Sequence, residues 1–133
     1  MHSLNNPTDV VNWSGKTILI VEDEESGRAY LEAVLKRTGA RLLFARDGRE
    51  AIEICKGNPD IEIVLMDLQM PVMDGFETRN RIKELYPHIR QIAQTAHAMA
   101  EDEARAREAG FDDYIPKPIG KSDLLTLIAK FLG

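Results

Sequence analysis

The chain has 133 residues, of which 44% are apolar, so it is long enough to bury the core of one domain. Its 22 acidic and 17 basic side chains give a formal net charge of -5, which argues against binding to the phosphate backbone of nucleic acids. The single cysteine, Cys55, excludes an intrachain disulfide and favours a reducing, cytoplasmic location. No apolar run reaches the ~18 residues of a membrane span, so no membrane contact is expected.

Residues 1–15 are polar and contain Asn, Pro, Ser and Gly, a composition typical of a linker or tail. We therefore predict a tail over residues 1–15 and one folded domain over residues 16–133. Trp13 does not fit the tail: it either packs across the start of the first strand or marks a junction with an upstream segment, and packing is the favoured reading.

From residue 17 onward, apolar runs alternate with segments whose apolar residues recur at helical spacing. The predicted strands cover residues 17–21, 41–45, 61–66, 89–94 and 111–115. The predicted helices cover residues 26–38, the segment from the Asp47-Gly48 turn to Gly57, residues 75–86, residues 99–109, and a last segment that opens at Lys121 or Ser122. Gly39 stands where a left-handed helix cap is expected. Five strands alternating with five helices predict an α/β fold, a doubly wound parallel sheet with helices on both faces.

Chemically reactive side chains follow the predicted strands. Asp67 ends the buried run that begins at Ile61, and Glu22 and Asp23 follow the first strand. Thr95 and Lys117 follow the fourth and fifth strands. The carboxyl ends of parallel strands meet at one edge of a doubly wound sheet, so we expect these side chains to form one site.

Three carboxylates at neighbouring strand ends repel one another unless a cation compensates their charge or some of them keep a proton, and a hard divalent ion is the simplest of these answers. Oxygen ligands with positions left for water suit Mg²⁺, and the absence of His and Cys beside these acids disfavours zinc. Lys117 and Thr95 could hold an anion, and a metal, an ammonium and a hydroxyl around one carboxylate suit phosphoryl transfer. In that chemistry Asp67 is the nucleophile, and the loops that carry Thr95 and Lys117 would move when the phosphoryl group arrives.

Four sequence blocks carry a resemblance that spans residues 16–132. They are Val21-Glu22-Asp23-Glu24, Leu65-Met66-Asp67-Leu68-Gln69-Met70-Pro71-Val72-Met73-Asp74-Gly75, Thr95-Ala96-His97-Ala98 and Tyr114-Ile115-Pro116-Lys117-Pro118. In this order and context they resemble the receiver domains of two-component response regulators. The resemblance implies a flavodoxin-like five-stranded sheet with strand order 2-1-3-4-5.

The same resemblance implies that Asp67 accepts a phosphoryl group from a phosphohistidine of a sensor histidine kinase or a histidine phosphotransfer protein. It implies that Mg²⁺ is held by Asp23, Asp67 and the main-chain carbonyl of Gln69, with help from Glu22. Many relatives carry Asp where this chain has Glu22, and the extra methylene could alter the metal geometry. A receiver of this kind catalyses only its own phosphorylation and dephosphorylation and is otherwise no enzyme.

The resemblance also implies roles in switching for residues at the ends of the fourth and fifth strands. Thr95 and Lys117 bind the phosphoryl oxygens, and Tyr114 matches the aromatic residue that swings inward when Thr95 is drawn to the phosphate. The Lys117-Pro118 peptide bond matches one that is cis in the family. A phosphorylation-dependent homodimer is a further expectation.

Two other functions are alternatives for a chain of this pattern. A Mg²⁺-dependent phosphatase that works through an aspartyl phosphate commonly has a second Asp two residues after the nucleophile, where this chain has Gln69. An electron-transfer flavin module on the same fold would need a Ser/Thr/Gly phosphate loop after the first strand, and this chain lacks that loop. The chain ends directly after its last helix, which favours a stand-alone regulator or a receiver cut from a hybrid sensor kinase, and the linker-like start tilts toward the latter.

Overall fold

The computed structural model describes residues 11–68, 70, 73–95 and 100–132. Within those residues, five parallel strands alternate with five α-helices in the strand order β2-β1-β3-β4-β5. The strands are β1 (Thr17–Val21), β2 (Arg41–Ala45), β3 (Ile63–Asp67), β4 (Arg90–Thr95) and β5 (Asp113–Pro116). The helices are α1 (Glu25–Leu35), α2 (Gly48–Gly57), α3 (Gly75–Leu85), α4 (Ala100–Ala109) and α5 (Lys121–Leu132). The predicted doubly wound sheet and its strand order are confirmed.

The central strands β1 and β3 are buried along their whole length and almost wholly apolar, because helices cover the sheet from both sides. Side chains of α1 and α5 pack on one face together with Ile18, Ile20 and Leu65. Side chains of α2, α3 and α4 pack on the other face together with Leu19 and Met66. Successive strand residues therefore point into different halves of the core.

Several predicted boundaries shift by one to three residues. The first helix ends at Leu35, and residues 36–38 form a tighter 3₁₀ turn that Gly39 closes with a φ of 83°, in the left-handed region. The third strand begins at Ile63 and includes Asp67, because Asp67 pairs with Gln94 of β4. The fifth strand begins at Asp113 rather than at residue 111. The amide of Phe111 donates a hydrogen bond to the carbonyl of Ala106, so Phe111 belongs to the turn that ends α4.

Trp13 lies in the core. Its side chain is 1% exposed and packs with the apolar residues that lie beneath α1 and α5. Its amide donates to the carbonyl of Thr38 at 2.6 Å, which connects the segment before β1 to the turn after α1. The prediction that Trp13 packs against the folded domain is confirmed, whereas the domain boundary at residue 16 stays a prediction.

Candidate functional site

The strand order places the predicted site residues at one edge of the sheet. β3 lies between β1 and β4, and β5 lies beside β4, so all these carboxyl ends are neighbours. Glu22 and Asp23 follow β1, Asp67 ends β3 and Thr95 ends β4. Lys117 comes one residue after β5, and its peptide bond to Pro118 is cis, as the resemblance implies.

Three carboxylates meet at this edge. Glu22, Asp23 and Asp67 each present an oxygen, and these oxygens lie within 4.8 Å of one another. Glu22 is 2% exposed and Asp67 is 5% exposed, whereas Asp23 is open to solvent. Burial of two negative charges this close together is unfavourable unless positive charge compensates them.

Lys117 supplies that positive charge. Its Nζ lies 3.1 Å from Oε1 of Glu22 and 3.3 Å from Oδ2 of Asp67, so one ammonium bridges the two buried carboxylates. Burial lowers the pKa of Lys117, but the carboxylates of Asp67 and Glu22 outweigh that effect, so the pKa lies above its ordinary value. The ammonium is therefore fully charged at neutral pH.

Glu22 is held through both its carboxylate and its main chain. Its Oε2 accepts a hydrogen bond from the amide of Glu24 at 3.2 Å, and its main-chain carbonyl accepts one from Arg28 at 2.8 Å. Burial raises the pKa of Glu22, but the amide of Glu24 and the charge of Lys117 more than offset this, so the pKa lies below its ordinary value. In this structure the longer side chain of Glu22 reaches Lys117 while staying beside Asp23 and Asp67.

Thr95 and Tyr114 lie on the next two strands. Thr95 is fully buried, its Oγ1 lies 3.5 Å from the carbonyl of Ile115, and its own carbonyl accepts the amide of Lys117 at 2.8 Å. The main chain thus connects the end of β4 directly to Lys117. Tyr114 is half-buried and packs against the core that α4 covers.

Two residues that shape the site were not predicted from the sequence. Arg28 of α1 anchors the loop after β1 by donating a hydrogen bond to the main-chain carbonyl of Glu22, and no local sequence signal indicates this contact. Gly75 opens α3 so close to β3 that a Cβ there would lie 2.6 Å from the carbonyl oxygen of Asp67. The sequence predicts that a helix opens at Gly75, but the close approach of Gly75 to Asp67 follows from packing.

The donor set of the acidic cluster fits a hard divalent cation. Its members offer carboxylate oxygens only, and Asp23 leaves one side of the cluster accessible to solvent. Among the described residues, Lys117 is the one cation paired with this cluster, so its three negative charges leave a surplus that a divalent ion would neutralise. The predicted carbonyl ligand, Gln69, lies outside the described residues.

Comparison with known proteins identifies the class. The family model of the response regulator receiver domain matches residues 18–129. The chain is 36% identical over 121 residues to the polar-differentiation response regulator DivK of Brucella ovis, a match that covers 89% of this chain and 97% of DivK. This chain therefore belongs to the family of response regulator receiver domains and has a signalling role in two-component systems.

Two further relatives place the same domain in larger assemblies. The chain is 34% identical over 127 residues to the autoinducer 1 sensor kinase/phosphatase LuxN of Vibrio campbellii, covering 96% of this chain and 15% of LuxN. A chain in the co-crystal structure of the Saccharomyces cerevisiae histidine phosphotransfer protein Ypd1 and the receiver domain of Ssk1 matches with a TM-score of 0.82. That match has 27% sequence identity and covers 88% of both chains. The chain thus spans a small part of LuxN and nearly all of DivK. The comparisons do not favour the phosphatase alternative.

None of the helices in the described part of the chain is both long enough and apolar enough to cross a bilayer.

Proposed function

We propose that Asp67 is the phosphoacceptor of this receiver domain. The observation that carries the proposal is the position of Asp67: it is buried at the end of a central strand and shares the ammonium of Lys117 with Glu22. A carboxylate held rigidly in a partly enclosed site, with positive charge already in place, is arranged for attack on a phosphoryl group.

The proposed reaction moves a phosphoryl group from a histidine nitrogen to a carboxylate oxygen. A carboxylate oxygen of Asp67 attacks the phosphorus of a phosphohistidine, an oxygen–phosphorus bond forms, and the nitrogen–phosphorus bond breaks. The donor imidazole leaves with the electron pair of that bond and takes up a proton from solvent. Lys117, which contacts Asp67 in this structure, can donate hydrogen bonds to the incoming phosphoryl oxygens. Hydrolysis by water later returns the carboxylate and releases phosphate.

Mg²⁺ is the cofactor we propose, held by Glu22, Asp23 and Asp67 together with the carbonyl of Gln69. When bound, Mg²⁺ neutralises charge on phosphoryl oxygens and on the carboxylates around it. The support is the all-oxygen cluster of three carboxylates and the membership of a family that matches most of the chain.

Thr95 and Tyr114 form the proposed switch. Thr95 ends β4 next to Lys117, so its hydroxyl is a suitable group to sense the charge of an acyl phosphate on Asp67. Tyr114 lies on the neighbouring strand, and we propose that it changes position when Thr95 does. Both roles rest on the positions of these residues at adjacent strand ends.

For partners, we propose a sensor histidine kinase or a histidine phosphotransfer protein as the phosphoryl donor. The likeness to a receiver crystallised with Ypd1 and to a segment of LuxN supports this class of donor. The match to nearly all of DivK supports a stand-alone regulator, the match to a segment of LuxN supports a receiver within a hybrid kinase, and the proposed class of donor is the same in both cases. The cytoplasmic location, the phosphorylation-dependent homodimer and the lack of nucleic-acid binding stay predictions.

The phosphoacceptor is tested by incubation with Mg²⁺ and acetyl phosphate, followed by intact mass measurement. We expect the wild-type chain to gain one phosphoryl group and Asp67→Asn to gain none, because the amide lacks the nucleophilic oxygen charge. Asp60→Asn is a matched control, since Asp60 is exposed before β3 and distant along that strand from its carboxyl end. Uptake by Asp67→Asn equal to that of the wild type would refute the assignment.

The metal site is tested without any phosphodonor. A ligand that binds only the folded state stabilises it by about 1.4 kcal/mol when its concentration is tenfold above the Kd. We expect Mg²⁺ to raise the Tm of the wild type in this way and to raise the Tm of Asp23→Asn much less. Asp60→Asn should respond like the wild type. An equal Mg²⁺ response in all three proteins would place the ion elsewhere.

A further inference from the structure

Tyr114 and Thr95 point to the same face of the sheet. Tyr114 pairs with Ala93 of β4, and Thr95 lies two residues further along β4, so alternation places both side chains on the face that α4 covers. Ala93, the direct neighbour of Tyr114 on β4, has only a methyl group as its side chain. The ring of Tyr114 is half-buried, and its surroundings decide which way it can turn.

Arg107 of α4 contacts the Tyr114 side chain at two places. Its Nη2 donates a hydrogen bond to the phenolic oxygen at 2.7 Å, and its guanidinium carbon lies 5.1 Å from the ring centroid. The first contact is a short charge-assisted hydrogen bond, and the second lies within cation–π range. In the described part of the chain, Arg107 forms no ion pair with a carboxylate, so Tyr114 is its side-chain partner.

The main chain of Tyr114 is fixed from the opposite side. Its amide donates to Oδ1 of Asp113 at 2.8 Å, and Oδ2 of Asp113 accepts from Lys130 of α5 at 2.7 Å. The backbone is thus tied to α5, whereas the ring is tied to α4. Any movement of the ring toward Thr95 must occur by side-chain rotation, and that rotation must break the contacts with Arg107.

We propose that Arg107 is a positioning residue that holds the ring of Tyr114 against α4 and thereby opposes its movement toward Thr95. This inference rests on the proposed switch role of Thr95 and Tyr114. It adds a residue that sets how readily the switch responds: the free energy of the Arg107 contacts must be given up each time the ring moves inward. A cation–π contact at an exposed site corresponds to a factor of about two to five in such an equilibrium.

The position of the ring can be measured in the unphosphorylated protein. The chain contains three tyrosines, so a sample labelled with 3-fluorotyrosine gives three ¹⁹F resonances, and Tyr114→Phe identifies the one from Tyr114. We expect Arg107→Ala to shift or broaden this resonance. Arg107→Lys keeps a charge and a donor and should return it part of the way toward the wild-type position.

Arg105→Ala is the matched control. Arg105 lies on the same helix, is also exposed and also sits over an aromatic ring, but that ring belongs to Phe76, 4.7 Å away. Arg105→Ala should leave the Tyr114 resonance in place. If Arg107→Ala leaves it unmoved, or if Arg105→Ala moves it equally, the inference is wrong. Because Arg105 and Arg107 are both exposed, we expect the arginine variants to keep the Tm of the wild type within a few degrees.

The consequence for switching is measured with beryllofluoride, a non-covalent mimic of the phosphoryl group, in the presence of Mg²⁺. Arg107→Ala should bind it about two- to fivefold more tightly than the wild type, because the ring is no longer held in the unactivated position. In a Tyr114→Phe background, which lacks the hydroxyl, Arg107→Ala should have a smaller effect. Unchanged or weaker binding by Arg107→Ala would overturn the proposed effect on switching.

Failure of this inference and failure of the proposed function give different results. If Asp67 takes up the phosphoryl group but the Tyr114 resonance ignores Arg107, only the positioning role is lost. If the resonance depends on Arg107 but no variant takes up phosphate on Asp67, the contact stands and the phosphoacceptor assignment fails.

Discussion

At the scale of single residues, Lys117 is the group on which the electrostatics of the site depends. It is the cation within ion-pair distance of both buried carboxylates, at 3.1 Å from Glu22 and 3.3 Å from Asp67. Burial alone would favour protonation of Glu22, and the charge and hydrogen bond of Lys117 are among the effects that reverse this. An acyl phosphate on Asp67 would change the negative charge next to Lys117 without removing it. The ammonium of Lys117 can therefore pair with negative charge at Asp67 in both the resting and the phosphorylated state.

We expect Lys117→Met to raise the pKa of Glu22. The substitution removes the positive charge and the hydrogen bond that lower this pKa but leaves the burial that raises it. A ¹³C NMR titration of the side-chain carboxyl in metal-free protein measures the change. Lys56→Met is a matched control, because Lys56 pairs with Glu53 at a similar 3.2 Å but on the exposed surface of α2, so it should leave the pKa of Glu22 unchanged. A pKa of Glu22 that falls in Lys117→Met would contradict this account.

The sign of the pH dependence follows from the same shift. The pKa of Glu22 is lower in the folded protein than its ordinary value of 4.5, so its ionised form stabilises the fold above that pH. This contribution is lost as the pH falls through the lowered pKa. The difference in unfolding free energy between the wild type and Glu22→Gln should therefore shrink as the pH is lowered from 7 to below 4.5.

At the scale of the elements, the close approach of α3 to β3 positions Asp67. Asp74 caps α3 by accepting the amide of Glu77 at 2.9 Å, and Gly75 then lies against the main chain of Asp67 and Leu68. Only a residue without a side chain fits there. The glycine thus allows the loop after β3 to turn back sharply while the strand end stays in place.

Gly75→Ala is expected to destabilise the fold by about 1–3 kcal/mol, because the new Cβ would meet main-chain atoms that cannot move away alone. Since those atoms belong to Asp67 and Leu68, phosphoryl uptake from acetyl phosphate should also slow. Denaturant unfolding and intact mass measure the two effects.

Gly57→Ala is the control for that prediction. Gly57 is the last residue of α2, and a Cβ there would have no atom within 4 Å. Alanine favours helices over glycine by at most about 1 kcal/mol, so this variant should be unchanged or slightly more stable. Equal destabilisation by both substitutions would show that crowding at Asp67 is not the cause.

At the scale of the whole molecule, Trp13 joins the segment before β1 to the main core. It is 1% exposed and lies among residues of α1, α5 and the central strands. A chain that begins at residue 16 would lack this side chain. The predicted boundary of the folded domain therefore has a measurable energetic consequence.

We expect Trp13→Ala to lower the unfolding free energy by about 3–5 kcal/mol, as large aromatic deletions in cores do. Trp13→Phe should lose less, because the ring refills part of the space and the indole N–H has no partner in the described structure. Leu85→Ala is the surface control: Leu85 is 52% exposed, so the change should be about 0.5 kcal/mol or less. A small effect of Trp13→Ala would support treating the whole segment as a tail.

Local patterns were sufficient for the order of elements and for the members of the site. The central strands β1 and β3 show as apolar runs, and Glu22, Asp23, Asp67, Thr95 and Lys117 each stand at or just after the end of a strand. The shared edge of a parallel sheet then brings them together without further information. Helix ends were less certain, since residues 36–38 carry no local signal that distinguishes a 3₁₀ turn from continued α-helix.

Sequence alone determined which groups meet at the carboxyl edge of the sheet, because alternation of strands and helices permits few topologies. Only the tertiary structure decided that Lys117 bridges Glu22 and Asp67, that Gly75 lies against Asp67, and that Arg107 holds Tyr114. The last two contacts join residues seven or eight positions apart, and the first joins residues up to 95 apart. Such contacts depend on how helices pack on the sheet and on which way side chains point, which no local pattern encodes.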